Sequence, residues 1–183
     1  MKAKWLGAAL ACAVVAAGCG QGRAIFNVDV YSFVKGTGSD TVSYVVPPGV
    51  SGSAGAPAQQ ITLPGVGSSI VDSVRAFGTL DLRNATGSGT IGLDVYLAAD
   101  APGTNNPSAK AITVPIKTVS GTNTTPDTIR ADLTTAFNSL FAGTQLWIRF
   151  VANGSADPGV TPLQGTAVLT SLQLTVIISD KFF

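Results

Sequence analysis

Apolar and polar side chains alternate in several stretches of the chain, which is the pattern of β-strands with one buried and one exposed face. The clearest stretch has Val74, Ala76, Gly78, Leu80 and Leu82 on one side, and Arg75, Phe77, Thr79, Asp81 and Arg83 on the other. A second stretch, 91–97, follows a Gly-rich segment at 84–89. Two such strands around a turn predict an antiparallel hairpin, and one register pairs Phe77 with Tyr96 across it.

Shorter alternating stretches predict the remaining strands. They lie at 26–30, 41–46, 112–116, 129–133, 146–150 and 172–178. Pro115 favours an edge position for its strand, because proline has no N–H to donate to a neighbouring strand. The segment 51–57, rich in Gly, Ala and Ser, predicts a loop.

The period of the apolar residues changes between 133 and 142. In this segment they fall at i, i+3, i+4, i+7 and i+8, namely at Leu133, Ala136, Phe137, Leu140 and Phe141. That spacing places them on one face of a short amphipathic helix. Asp132 is available to cap the beginning of this helix, and Gly143 is suited to end it.

These elements predict an all-β protein, an antiparallel β-sandwich of the jelly-roll or Ig-like kind with about eight strands and one short helix. The length of 183 residues favours a single domain, which we place at 25–183. The order of strand, short helical cover and return strand resembles that of secreted jelly-roll modules that bind polysaccharide.

Charged residues make up only 11% of the chain, less than half of the roughly 25% that is usual in soluble domains. Ser, Thr, Asn and Gly supply most of the polar positions, and neither His nor Glu occurs. The formal net charge is +1, and no cluster of basic residues stands out. We therefore expect no nucleic-acid partner, because such partners select for a concentrated positive surface.

The first 19 residues have the composition of a targeting segment and not of a β-strand domain. A basic start that includes Lys2 and Lys4 precedes an uncharged run from Trp5 to Ala17. This run is shorter than the roughly 20 apolar residues that a membrane-spanning helix needs, and its length is typical of a signal peptide. The run leads into Ala16-Ala17-Gly18-Cys19.

This N-terminal segment resembles the signal peptide and lipobox of bacterial lipoprotein precursors, where small residues precede a cysteine. In that family the cysteine thiol receives a diacylglyceryl group and the chain is cut just before it. The resemblance implies a signal peptide at 1–18, a lipidated N-terminus carrying fatty-acyl (palmitate) chains with a short tether at 19–24, and Cys19 as the acylated residue. It also implies export from the cytoplasm and a membrane anchor in the bacterial cell envelope. The alternative is an ordinary secretory leader that leaves Cys19 unmodified.

The side chains offer little catalytic equipment. Without His, and with the only Cys of the mature chain expected to be acylated, no nucleophile has a recognisable base. Asp81 and Asp94 would share a face of the predicted hairpin, which keeps a glycoside hydrolase as a weaker alternative. Arg75 and Arg83 share that face, so salt bridges are the favoured role of these carboxylates. We expect a protein that is not an enzyme.

Metals and cofactors are also not expected. Zinc would need His or free Cys ligands. Calcium prefers oxygen ligands, and Asp40, Asp100 and Asp157 lie in predicted loops. No Asp-x-Asp-x-Asp-Gly run accompanies them, so we interpret them as aspartates of ordinary turns.

Two functions remain for such a domain at an envelope surface. The first is a structural or protein-interaction module, in which exposed strand edges contact another envelope protein or a second copy. The second is a carbohydrate-binding module that uses Trp147, Tyr96 and Phe77, which fall on predicted polar faces. Sugar rings stack on flat aromatic side chains, so the exposure of Trp147 discriminates between the two hypotheses.

Overall fold

The computed structural model describes residues 22–67 and 69–179, which form two antiparallel sheets of five strands each. This arrangement confirms the predicted antiparallel β-sandwich. Cys19 and the predicted signal peptide lie outside the described residues. Within those residues, no helix is long and apolar enough to cross a membrane.

The first sheet is organised around a long strand near the end of the chain. Its strands are β1 (Arg23–Asp29), β2 (Thr41–Val46), β5 (Ile70–Thr86), β8 (Asn123–Asp132) and β10 (Leu163–Ser179). β5 lies on one side of β10, and β8 follows β5 at the edge. The other side of β10 is shared, with β2 against its first half and β1 against its second.

The second sheet repeats this plan around a different strand. Its strands are β3 (Ser51–Gly55), β4 (Gln59–Thr62), β6 (Ser88–Ala98), β7 (Lys110–Ser120) and β9 (Gln145–Ala156). β9 pairs with β6, which pairs with β7 at the edge, while β3 and β4 share the other side of β9. Pro115 therefore lies on an edge strand, as its missing N–H predicts.

Short helical segments lie in the connections between the strands. They are α1 (Val30–Val34), α2 (Thr134–Phe137), and 3₁₀ turns at Pro102–Asn105, Pro107–Ala109 and Asn138–Ala142. The helix predicted at 133–142 is confirmed in place, although its second half is 3₁₀. The predicted N-cap is wrong, because Leu133 holds that position and makes no side-chain cap. The Asp132 carboxylate accepts a hydrogen bond from the Thr134 backbone N–H at 3.0 Å just before it.

Two local predictions are wrong. The first strand ends at Asp29, and Val30 begins α1 because Val30 and Val34, one turn apart, are both fully buried. The predicted loop at 51–57 contains β3, where Ser51 pairs with Ser155 of β9. Small side chains are poor strand formers by themselves, so this strand depends on its neighbour.

The predicted hairpin is also wrong, because β5 and β6 belong to different sheets. The chain leaves the first sheet after Thr86, turns at Gly87 with φ of +75°, and enters the second sheet at Ser88. Leu80 and Leu82 of β5 are then buried in the same core as Ile91 of β6. Both arrangements keep the apolar residues inside, so alternation alone does not distinguish them.

A buried polar side chain holds this crossing in place. Asn84 is 3% exposed, and its amide nitrogen donates to the backbone carbonyls of Gly87 at 3.1 Å and Gly121 at 2.6 Å. The Tyr44 hydroxyl donates towards the Arg83 carbonyl at 3.2 Å and lies 3.4 Å from Asn84 Oδ1. Buried polar groups need such partners, so Asn84 links the two sheets where the chain passes between them.

Candidate ligand-binding face

Trp147 and Tyr96 lie on the outer face of the second sheet. Tyr96 of β6 pairs with Arg149 of β9, and Trp147 of β9 pairs with Ala98 of β6, so the two aromatic residues are diagonal neighbours. Both are partly exposed, whereas Leu146, next to Trp147, is fully buried. The alternation of β9 therefore directs Trp147 outward, beside a second ring.

Polar side chains surround the two rings. Arg149 lies opposite Tyr96, and its Nη1 donates to Asn105 Oδ1 at 2.5 Å. A Cβ added to Gly55 would lie 2.6 Å from Nη2 of Arg149, so the glycine leaves room for the guanidinium. Gln60 of β4 pairs with Trp147 on the other side. The rings thus lie among groups that can hydrogen-bond to hydroxyls.

The connection between β6 and β7, which contains two 3₁₀ turns, packs beside this face. A Cβ added to Gly103 would lie 3.0 Å from the Cβ of Ala98, so the 3₁₀ turn packs over the strand next to Trp147. Thr104 in the same turn is fully buried. The Gly103 N–H donates to Asp100 Oδ1 at 2.6 Å, which gives that carboxylate a role in the turn.

Asp94 lies on the same outer face and already has partners. The Asn153 amide donates to its Oδ2 at 2.9 Å, and the Lys110 ammonium lies 3.5 Å from the same oxygen. The Asp94 side chain is 10% exposed, so this cluster neutralises a largely buried charge. Asp94 therefore stabilises the three strands that meet there.

Phe77 lies on the outer face of the first sheet, on the opposite side of the molecule from Tyr96. It is 49% exposed, and the guanidinium carbon of Arg130 lies 4.9 Å from its ring centroid, within cation–π range. The predicted pairing of Phe77 with Tyr96 is therefore wrong. Sequence reasoning missed Arg130, because the pairing of β5 with β8 has no local signal.

The remaining acidic candidates are separated. Asp81 lies on the first sheet, where the Arg83 guanidinium contacts it at 3.0 Å, and Asp94 lies on the second. They are not placed to act as a carboxylate pair. Asp40, Asp100 and Asp157 occupy separate turns, and the described residues contain no group of three His, Cys, Asp or Glu placed to hold a metal ion.

A groove of about 490 Å³ crosses the first sheet near the beginning of β10. The residues around it include the polar Ser43, Arg83, Thr124, Gln164 and Thr166. Its one aromatic lining residue, Tyr44, is only 2% exposed. The groove offers hydrogen-bonding groups without an accessible ring, unlike the face that carries Trp147.

No family model and no curated protein matches the sequence. A structure of infectious bursal disease virus, Gx strain, aligns with 88% of this chain and 38% of that chain, at 11% identity and a TM-score of 0.39. The structure of TmCBM61 in complex with β-1,4-galactotriose aligns with 85% of this chain and 88% of that chain, at 12% identity and a TM-score of 0.30. This chain thus spans less than half of the viral chain. These similarities concern the arrangement of strands alone.

Proposed function

We propose that the protein is a non-enzymatic, lipid-anchored module of the bacterial cell envelope that binds polysaccharide through the outer face of its second sheet. One observation carries the binding proposal: Trp147 and Tyr96 are partly exposed diagonal neighbours on that face. This juxtaposition favours carbohydrate binding over the protein-interaction function as the principal role.

The chemistry of the face suits a sugar. The apolar C–H faces of a pyranose stack on aromatic rings, and its hydroxyls need donors and acceptors around them. Arg149 and Gln60 supply such groups on either side of the rings. The carboxylate of Asp94 on this face is already neutralised by Lys110, so it does not repel a sugar ligand.

Binding to a panel of purified cell-wall and extracellular polysaccharides tests the proposal, with retardation in polysaccharide-containing gels as the measurement. Trp147→Ala should abolish retardation by the polysaccharide that binds the unchanged protein. Phe77→Ala is the matched control, since it removes a more exposed ring from the opposite sheet and should leave retardation intact. Equal retardation of Trp147→Ala and the unchanged protein would reject this binding face.

The proposed anchor rests on the lipobox resemblance. The first strand begins at Arg23, four residues after Cys19, so the tether spans at most about 14 Å. Mass spectrometry of detergent-extracted protein should find an acylated Cys19 at the N-terminus. Cys19→Ala should release the domain in soluble form, and a mature terminus elsewhere would refute the anchor.

Contact with another envelope protein is the second candidate function, and the exposed edge of β2 favours it. Val45 is 63% exposed there, and β2 contains no proline to block pairing with an added strand. Crosslinking of the anchored protein followed by capture should then recover one dominant partner or a second copy of the chain. Val45→Lys should prevent that crosslink, because a charge on an exposed edge strand opposes strand addition. An unchanged crosslink in Val45→Lys would exclude this edge as the contact.

A further inference from the structure

Three isoleucines form an apolar patch on the outer face of the first sheet. Ile25 of β1 pairs with Ile177 of β10, and Ile70 of β5 pairs with Ser179 two positions along β10. Ile25 is 65% exposed, Ile70 is 45% exposed, and Ile177 is partly exposed. We call these three residues the isoleucine patch. Exposed apolar side chains that lie close together at one end of a sheet indicate a contact surface.

The patch lies at the end of the sheet where the predicted anchor joins the domain. Arg23 pairs with Ser179, in the row next to the pair of Ile25 and Ile177. The chain from Cys19 to Arg23 reaches at most about 14 Å, so an acylated Cys19 would hold this end of the sheet beside the bilayer surface. A lipid surface is then the apolar environment within reach of these side chains.

We infer that the isoleucine patch rests on the lipid bilayer and orients the anchored domain. The inference rests on the proposed acylation of Cys19. Apolar side chains at such an interface enter about 5–10 Å into the boundary between headgroups and acyl chains. Arg23, whose side chain is 69% exposed and lies 3.5 Å from Asp72, is placed to remain at headgroup level.

This orientation has a consequence for the candidate ligand-binding face. The isoleucine patch lies on the outer face of the first sheet, and Trp147 and Tyr96 lie on the outer face of the second. The two outer faces of a sandwich point in opposite directions. With the patch on the membrane, Trp147 and Tyr96 lie on a face that does not contact it.

A fluorescent probe on a single cysteine tests the contact. In the acylated protein the Cys19 thiol is blocked, so Ile25→Cys introduces a free thiol for an environment-sensitive label. Val45→Cys is the matched control, since Val45 is 63% exposed against 65% for Ile25 and also lies on an edge strand paired with β10. Val45 pairs with Gln164, far along β10 from Ile177.

The acylated, labelled proteins are reconstituted into phospholipid vesicles that contain lipids brominated on their acyl chains. We expect quenching at position 25 to exceed quenching at position 45 several-fold, and Ile70→Cys should behave like Ile25→Cys. Equal quenching at 25 and 45, or none at either, would overturn the patch contact while leaving the anchor in place.

The failure of the anchor is distinguishable from the failure of the contact. Intact mass reports acylation of Cys19 in each labelled sample, and an unacylated protein that does not bind vesicles refutes the anchor itself. The label at position 25 is also read in the soluble Cys19→Ala protein. An apolar environment already present there would show that protein covers the patch, which would overturn the contact with lipid.

Discussion

The ammonium nitrogen of Lys117 lies 3.3 Å from Oδ2 of Asp127, and this ion pair joins the edge strands of the two sheets. Lys117 pairs with the buried Ile91 and Asp127 pairs with the buried Leu80, so both charged side chains occupy inward positions. Oδ2 of Asp127 is buried and has no hydrogen-bond partner among the described residues. Its contact with Lys117 is therefore an ion pair without a hydrogen bond. Pro115 on β7 accompanies the pair at this edge.

Inward charges and prolines on edge strands oppose pairing with other chains. The double variant Lys117→Gln with Asp127→Asn removes both charges from this edge. The net charge of the protein stays the same, and both side chains remain polar. We expect stability to change by less than about 1 kcal/mol, because Lys117 is substantially exposed. Self-association should rise with protein concentration, as measured by light scattering.

The control for this prediction is Arg83→Gln with Asp81→Asn. That pair has a 3.0 Å contact on the outer face of β5, which lies between β10 and β8. The control removes the same charges from a strand that has no free edge, and should leave the scattering unchanged. Equal self-association of both double variants would contradict a protective role for Lys117 and Asp127.

Tyr96 should contribute to polysaccharide binding less than Trp147 does. We expect Tyr96→Ala to weaken binding by about 0.5–1.5 kcal/mol, up to roughly tenfold, because an aromatic contact of this kind is lost. Tyr96→Phe keeps the ring and should retain most of the affinity. Isothermal titration with a soluble oligosaccharide of the bound polymer measures both, and full affinity in Tyr96→Ala would exclude Tyr96 from the binding face.

Burial raises the pKa of the Tyr44 hydroxyl above its ordinary value of 10.0. The folded protein therefore holds this proton more tightly than the unfolded chain does. Its contribution to stability is complete below pH 10.0 and is lost as the pH rises through the raised pKa. Between pH 10.0 and the raised pKa, urea unfolding should show stability falling more steeply in the unchanged protein than in Tyr44→Phe.

The same substitution has an effect at neutral pH. Tyr44→Phe should cost about 1 kcal/mol there, since the hydrogen bond to the Arg83 carbonyl is lost. Tyr31→Phe serves as the control, because Tyr31 lies partly exposed on α1. A pH profile of Tyr44→Phe that runs parallel to that of the unchanged protein would exclude Tyr44 as the source of the alkaline loss.

Gly78 is required where β5 and β10 approach closely. A Cβ at this position would run into the backbone carbonyl oxygen of Ser171 and lie 3.1 Å from the Cα of Leu172. We expect Gly78→Ala to lower the free energy of unfolding by about 1–3 kcal/mol, as overpacking does. Urea denaturation measures the loss. Gly159→Ala, where nothing lies within 4 Å, should be neutral, and equal stability of the two variants would refute the steric argument.

Alternation of apolar and polar residues along the chain specifies which residues of each strand face inward. The alternation at 74–82 corresponds to buried Val74, Leu80 and Leu82, and the change of period after Leu133 corresponds to a helical segment. The outward positions of Trp147 and Tyr96 follow from the same rule. These features are local, because backbone geometry sets the period of a strand or helix and the apolar residues record it.

The neighbours of each strand, in contrast, are set only when the two sheets assemble. β5 and β6 have the alternation of a hairpin, yet each is an inner strand of a different sheet. Tyr96 consequently shares a face with Trp147 of β9, and Phe77 meets Arg130 of β8 instead. Alternation specifies the buried face of a strand without specifying its partner strand. The choice of partner depends on how the strands bury their apolar faces together. It also depends on buried contacts, such as those of Asn84, that arise only when distant segments meet.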